Sequence, residues 1–269
     1  MVEPSGSASS EKSEVTWGMR NWKASAFAQM PLTAKQAEEM GFVQLNSQCA
    51  GTFYGFRFMK DNDPSVVLLY DVNGVISGLQ SGFHVENSRM HPRAGYIMDT
   101  VAGRDIQFLT VYFLPPELIC ARGRSLRELE EEGVGSNVYL QRETEALSRL
   151  VSAPRYDDDL RNSLWVREAC YPGMGRHYFW NITEDMACEH LFPVYVTFFR
   201  GEIVSFGFLH SLAPPSSGRF ERVIKENIGT YLHRPPKCLE KELAAPGTRF
   251  SSLHVYLVSK PWEVTCTHD

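Results

Sequence analysis

The chain lacks the features that identify several large classes of protein. No apolar run reaches the roughly 18 residues that a membrane-spanning helix requires, and the start of the chain contains no signal-like apolar core. Lysine and arginine are scattered and the net charge is -5, so a nucleic-acid groove is not expected. GxSxG, GxGxxG and Walker motifs are absent, which argues against a hydrolase nucleophile elbow, a dinucleotide fingerprint and a phosphate-binding loop.

The composition is that of a globular protein rich in strands. The 269 residues are 43% apolar and 22% charged, which excludes wholesale disorder. Aromatic residues make up 12%, a share that suits strands better than a helical bundle. No long segment has helical periodicity, although Thr33 with Gln36 and Ser125 with Glu128 match capping boxes. We therefore predict a mainly β, antiparallel fold with two or three short helices.

Two stretches of similar pattern divide the chain. Residues 64–79 and 193–208 each consist of an apolar strand, a turn with glycine and a second strand, and the first contains an Asn73-Gly74 hairpin signal. A Val-Tyr strand follows in each half. This order predicts an internal duplication, with two diverged copies of an antiparallel β unit at residues 17–150 and 164–269. Residues 151–163 are the predicted linker, and residues 1–16 are a predicted disordered tail, either exposed by signal cleavage or a cytosolic start.

The six cysteines are widely spaced and form no CxxC motif. Four of them occupy matching ends of the two predicted units, so we expect each unit to be closed by its own disulfide and the remaining two cysteines to form a third. The predicted pairs are Cys49 with Cys120, Cys170 with Cys266, and Cys188 with Cys238. This pattern predicts a secreted, extracellular protein, and the alternative is six free thiols in a cytosolic one. The sequon Asn181-Ile182-Thr183 adds an expectation of glycosylation.

Histidines are concentrated in the second half, and one of them lies on a strand with a polar face. Alternation along residues 253–257 places His254 and Tyr256 on the face opposite to three apolar residues. His177 lies on another predicted strand of the same unit. We predict a site in which His254 and His177 act as catalytic acid/base residues, with Glu221 or Tyr256 as partner.

A metal centre is a second form of this hypothesis. Imidazole suits zinc, copper or iron, and a catalytic metal usually has three protein ligands. The predicted ligands are His177, His210 and His254, with His190 as an alternative third ligand. The competing interpretation is that these are ordinary histidines of a β protein, because no HxH or HExxH spacing supports the cluster.

The aromatic strands support a hypothesis of a different class. Curved sheets can enclose an apolar pocket for a lipid or an aromatic small molecule, although the same rings could be ordinary core. His84 and His210 stand at similar distances beyond the hairpin glycines and are candidate counterparts. The predicted ligand-binding residues are Tyr178, Trp180, Tyr195, Phe199, Tyr112 and His84. Small-molecule binding is therefore the first expectation, a metal- or histidine-dependent enzyme the second, and an extracellular interaction protein the third.

Overall fold

The computed structural model of the chain describes residues 14–16, 27–85, 94–133, 137–211, 219–246 and 250–267. Within these ranges the fold is mainly β, as predicted, and consists of two antiparallel sheets with short helices around them. The strands are β1 (Glu14–Thr16), β2 (Phe27–Gln29), β3 (Phe42–Gln44), β4 (Phe56–Lys60), β5 (Val67–Tyr70), β6 (Ile76–His84), β7 (Ile97–Val101), β8 (Arg104–Tyr112), β9 (Asn137–Leu140), β10 (Val151–Pro154), β11 (Trp165–Tyr171), β12 (Gly175–Trp180), β13 (Val194–Phe199), β14 (Glu202–His210), β15 (Glu221–Val223) and β16 (Phe250–Tyr256).

Five α-helices lie in the described ranges, more than the two or three that the sequence predicts. They are α1 (Ala34–Glu39), α2 (Pro116–Ile119), α3 (Leu126–Glu132), α4 (Lys225–Ile228) and α5 (Lys237–Ala244). Both predicted capping boxes are confirmed, at the N-termini of α1 and α3. The additional helices α2 and α4 have 4 residues each, too few to produce a helical periodicity in the sequence.

The two sheets have the same strand order. The first sheet is ordered β10-β9-β8-β6-β5-β4-β3. Strands β7 and β9 both pair with β8, at its opposite ends. The second sheet is ordered β2-β1-β16-β14-β13-β12-β11. Strands β15 and β1 both pair with β16, at its opposite ends. In the second sheet, β1 and β2 from the N-terminal part of the chain therefore take the place that β9 and β10 take in the first. This common order agrees with the repeated sequence pattern, while a duplication in evolution stays a prediction.

Equivalent residues stabilise equivalent loops in the two sheets. The Tyr112 hydroxyl accepts a hydrogen bond from the Tyr54 amide, which follows Cys49, at 3.2 Å. The Tyr256 hydroxyl donates to the carbonyl of Gly173, which follows Cys170, at 2.8 Å. Each tyrosine thus holds the segment that follows the first cysteine of its half.

One apolar core joins the sheets. Its members come from the inner faces of both, including Leu79 and Val111 of the first sheet and Phe206 and Val255 of the second, each at most 2% exposed. At about 25 cal/mol per Å² of apolar surface removed from water, such side chains each stabilise the fold by about 1.5–3 kcal/mol. The outer face of the second sheet has a separate core beneath β15, α4 and α5.

All three predicted disulfides are confirmed, and no cysteine of the chain is free. They are Cys49–Cys120, Cys170–Cys266 and Cys188–Cys238. Three disulfides are compatible with an extracellular environment. Among the described residues, none of the helices has the length and apolar character needed to cross a membrane.

The structure differs from the expected boundaries at two places. Glu14–Thr16, assigned to the tail, form β1, which pairs with β16, and the earlier residues lie outside the described ranges. Val151–Pro154, assigned to the linker, form β10, and Asp157–Leu160 form a 3₁₀ turn. The two strands have different kinds of partner, because β1 pairs with β16 at the other end of the chain and β10 pairs with β9, the strand that precedes it.

Candidate functional site

The second sheet has a small buried cavity on its outer face. Strands β12, β13, β14 and β16 form its floor, and residues 219–246, which we call the cover, close it. Within the cover, β15 pairs with the end of β16, and α4 with the residues after it completes the lining. The cavity has a volume of about 30 Å³. Its lining is mainly aliphatic and aromatic, with Leu209 from the floor and Val223, Ile228 and Leu232 from the cover. Six side chains that carry polar atoms also line it: His177, Tyr195, Glu221, Tyr231, Ser252 and His254.

A glycine allows one of these side chains to cross the sheet. Tyr195 on β13 pairs with Gly207 on β14, and a Cβ atom at Gly207 would overlap the Tyr195 ring. Because Gly207 has no side chain, Tyr195 extends across β14 to β16. Its hydroxyl lies 2.8 Å from Nδ1 of His254 and 2.7 Å from Oγ of Ser252.

The hydrogen bonds continue from His254 to the cover. Nε2 of His254 lies 3.1 Å from Oε2 of Glu221 on β15, and the Tyr231 hydroxyl donates to Oε1 of Glu221 at 3.1 Å. Ser252, Tyr195, His254, Glu221 and Tyr231 therefore form one chain of buried polar groups. Burial raises the pKa of Tyr195 and of Tyr231, so both phenols keep their protons and serve as donors.

One arrangement of hydrogens satisfies the whole chain. Nε2–H of His254 donates to Glu221, the Tyr195 hydroxyl donates to Nδ1 of His254, and the Ser252 hydroxyl donates to Tyr195.

His177 is held separately, by a bulge in β11. The register of β11 against β12 shifts between Arg167 and Cys170, which leaves the Ala169 carbonyl 3.1 Å from Nδ1 of His177. Burial, together with the neighbouring His254, lowers the pKa of His177 to about 3, against hydrogen bonds to the Ala169 and Gly175 carbonyls that raise it. His177 is therefore neutral near pH 7, with its proton on Nδ1.

The corresponding face of the first sheet carries different chemistry. By strand register, Arg57 stands where His177 stands in the second sheet, and Thr110 stands where His254 stands. Arg57 is buried and forms an ion pair with the partly exposed Asp99, and its guanidinium lies over two phenylalanine rings. The same scaffold thus holds a half-buried ion pair in one half and a cavity with histidines in the other.

The structure brings together four of the predicted site residues, His177, His254, Glu221 and Tyr195. Tyr256 shares the outer face with His254, as alternation predicted, but its hydroxyl binds the Gly173 carbonyl and it does not line the cavity.

The other predicted ligand-binding residues lie elsewhere. Tyr178 and Trp180 pack with the core between the sheets, and Phe199 is half-buried beneath Arg200. Tyr112 lies on the first sheet and donates to Gln141 at 2.6 Å.

His84 also lies on the first sheet, where it lines another cavity with Arg104. It is not the counterpart of His210. His210 pairs with Ser251, and the matching position of the first sheet, opposite Gln107, is Phe83.

The predicted metal triad does not form, because His210 lies on the opposite face of the sheet. Its Nε2 lies 2.8 Å from Oγ of Ser81 and its Nδ1 lies 3.0 Å from the Tyr96 hydroxyl, so it links the two sheets. Across the described ranges, no group of three or more His, Cys, Asp or Glu side chains could hold a metal ion. His190, the alternative ligand, lies in an exposed 3₁₀ turn.

Sequence reasoning missed several members of the site. Ser252 stands two residues before His254, so strand alternation already places it on the same face. Gly207 could have been recognised as a close-approach glycine within a strand. Tyr231 and Leu232 come from the segment between β15 and α5, which has no periodic pattern, so no sequence signal points to them.

No family model, no curated protein and no solved structure matches this chain.

Proposed function

We propose that this protein binds a small apolar or aromatic molecule in the cavity beneath the cover. The observation that supports the proposal is a cavity lined by buried, mainly apolar residues into which a few polar side chains converge, the usual composition of a small-molecule site. His177, Tyr195 and Glu221 supply this polar part, and the aliphatic residues of floor and cover supply the rest.

The size of the cavity sets a condition on binding. A volume of about 30 Å³ has room for one or two water molecules. An aromatic ligand therefore requires the cover to move outward. The cover contributes Val223, Ile228 and Leu232 to the cavity. Val223 lies on β15 and Ile228 on α4, and both elements are short. Movement of these side chains would enlarge the cavity without breaking the floor.

A histidine-dependent enzyme is the second candidate, favoured by the contact between Glu221 and His254. A carboxylate beside an imidazole is a common general-base arrangement. However, both nitrogens of His254 are engaged, by Glu221 and Tyr195, and a pKa of about 3 makes His177 a weak base. The geometry therefore favours binding. Turnover of a bound ligand that disappears in Glu221→Gln, with binding retained, would instead support the enzyme.

The experiment that tests binding is calorimetric titration of the intact protein with toluene. We expect saturable binding and a thermal stabilisation that rises with toluene concentration, about 2.7 kcal/mol at 100 times the dissociation constant. Ile228→Phe adds bulk to the lining of the cavity and should abolish binding. Val43→Phe adds similar bulk at a strand position that is 65% exposed and should leave binding unchanged. Absence of saturable binding, or equal binding by both variants, would count against this site.

We propose further that the protein is secreted and carries a glycan on Asn181. Asn181 and Thr183 are both exposed, and Asn181 lies in the turn that follows β12 with φ 49°. The three disulfides support an oxidising compartment. Expression in a glycosylating cell should give a protein whose mass falls after enzymatic deglycosylation, and Asn181→Gln should lose this difference. An unmodified protein in the medium would contradict the glycan alone, and a protein retained in the cell would contradict secretion.

A further inference from the structure

Within the part of the chain that the structure describes, one hydrogen-bond acceptor at the cavity has no donor. His177 is 1% exposed, and its Nδ1 faces the carbonyl oxygen of Ala169. A carbonyl oxygen only accepts, so Nδ1 carries the ring proton and Nε2 keeps its lone pair. The described residues place no hydrogen-bond donor on this nitrogen.

The neighbouring donors are already used. The Tyr231 hydroxyl donates to Glu221, and the Tyr195 hydroxyl hydrogen bonds with His254 and Ser252. A buried acceptor without a donor costs about 1–3 kcal/mol. This cost makes Nε2 of His177 a position where a bound molecule gains by supplying a hydrogen.

The surroundings of His177 are aromatic. Ring centroids of Tyr195 and Tyr231 lie 5.4 and 5.6 Å from the imidazole, and the Phe179 ring is stacked with it at 6.3 Å. A planar ring suits this environment better than a flexible chain, since aromatic pairs at such separations add to the burial of apolar area.

We infer that the molecule bound in this cavity is a small phenol whose hydroxyl group donates to Nε2 of His177. This inference rests on the proposed function, because it names the chemical class of the ligand for the same cavity. The ligand is neutral, since a charged group would be buried with no opposite charge left unpaired beside it.

Phenol and toluene form a matched pair of probes, because phenol has a hydroxyl group where toluene has a methyl group and the two are otherwise the same. We expect the intact protein to bind phenol about 10-fold more tightly than toluene, as one buried hydrogen bond provides. His177→Phe keeps the ring and removes the acceptor, so it should bind both probes with equal affinity. His177→Gln retains an acceptor and should recover part of the preference. Native disulfide pairing and near-ultraviolet circular dichroism establish that each variant is folded.

The outcomes separate the two proposals. If neither probe binds the unmodified protein, the proposed function fails. If both bind equally, the binding function stands and the inference is wrong. If phenol is preferred by the unmodified protein and still preferred by His177→Phe, another acceptor recognises the hydroxyl and the assignment to His177 is overturned. Loss of the preference in His177→Phe, with toluene binding retained, supports the inference.

Discussion

Gly207 on β14 lies directly beneath the aromatic ring of Tyr195 on β13, in a space that no other residue type could leave free. The position of the ring determines the site, because the Tyr195 hydroxyl reaches His254 and Ser252 only by crossing β14. The equivalent pair of the first sheet is Gln80 with Val67, where no ring crosses the neighbouring strand. The absence of a side chain at Gly207 therefore distinguishes β14, which supports the cavity, from the equivalent strand β6, which does not.

Gly207→Ala should displace the Tyr195 ring. The overlapping atoms belong to a buried ring, which has little freedom to move, so we expect a loss of about 1–3 kcal/mol in the free energy of unfolding and loss of toluene binding. Chemical denaturation and calorimetric titration measure the two effects. Gly229→Ala is the control, because a Cβ at Gly229 meets no atom within 4 Å.

A double substitution makes this test specific. Tyr195→Val introduces the residue found at the matching position of the first sheet, and it removes the ring that the new methyl group would strike. Gly207→Ala should therefore cost much less when Tyr195→Val is present, giving a coupling energy of about 1 kcal/mol or more. Strictly additive costs would show that the overlap is not the cause.

Tyr195→Phe tests the hydrogen-bond chain without changing the ring. The substitution removes the hydroxyl between His254 and Ser252, and we expect a destabilisation of about 1–3 kcal/mol because buried polar groups lose their partner. Tyr178→Phe removes a hydroxyl whose single contact, with the partly exposed Asp157, is long at 3.3 Å, and should cost less than Tyr195→Phe. Equal losses in denaturant unfolding would mean that the chain contributes no more than a surface contact.

Local sequence patterns predicted disulfides and helix starts more successfully than they predicted which face of a strand a side chain occupies. The disulfides followed from matching positions of cysteines, and the helix starts from two capping boxes, because both signals are written in a few residues. The face of His210 was not recognised, although alternation groups it with Phe206 and Phe208. Every residue of 204–210 is buried, so alternation alone does not say which side of β14 meets the other sheet.

Other members of the fold depend on distant pairings. The place of β1 in the second sheet requires a partner, β16, at the other end of the chain. Tyr231 enters the site from a non-periodic segment, through the hydrogen bond of the Ala169 amide to the Tyr231 carbonyl at 3.2 Å. Such contacts arise from tertiary packing, which neither composition nor periodicity encodes.

Two of the buried histidines, His177 and His210, predict a pH dependence of stability. Burial lowers the pKa of His177 and of His210 to about 3, below the ordinary value of 6.5. Between these values the unfolded chain binds a proton that the folded protein does not, so stability is fully present above pH 6.5 and is lost as the pH falls towards 3.

His177→Gln should reduce this dependence. Each histidine adds up to about 1.4 kcal/mol per pH unit to the slope of unfolding free energy below pH 6. Urea unfolding of both proteins between pH 4 and 7 measures the slopes, whatever the absolute stability of the variant. A slope equal to that of the unmodified protein would mean that His177 is protonated in the folded state.

The Cys188–Cys238 disulfide should control the mobility of the cover. It joins α5 to the 3₁₀ turn at Cys188–His190, and Lys237 adds a hydrogen bond from its amide to the Glu184 carbonyl at 2.9 Å. The bridge spans 50 residues, so its removal by paired Cys→Ala substitutions should cost about 2–4 kcal/mol. Amide hydrogen exchange should then accelerate in α4 and α5 more than in β13 and β14.

The same double substitution at Cys49 and Cys120 is the control, since that bridge closes the first sheet and its loss should leave exchange in α5 unchanged relative to β13. Uniform acceleration in both variants would show that the cover unfolds only with the whole protein, and a ligand could then enter the cavity only through global opening.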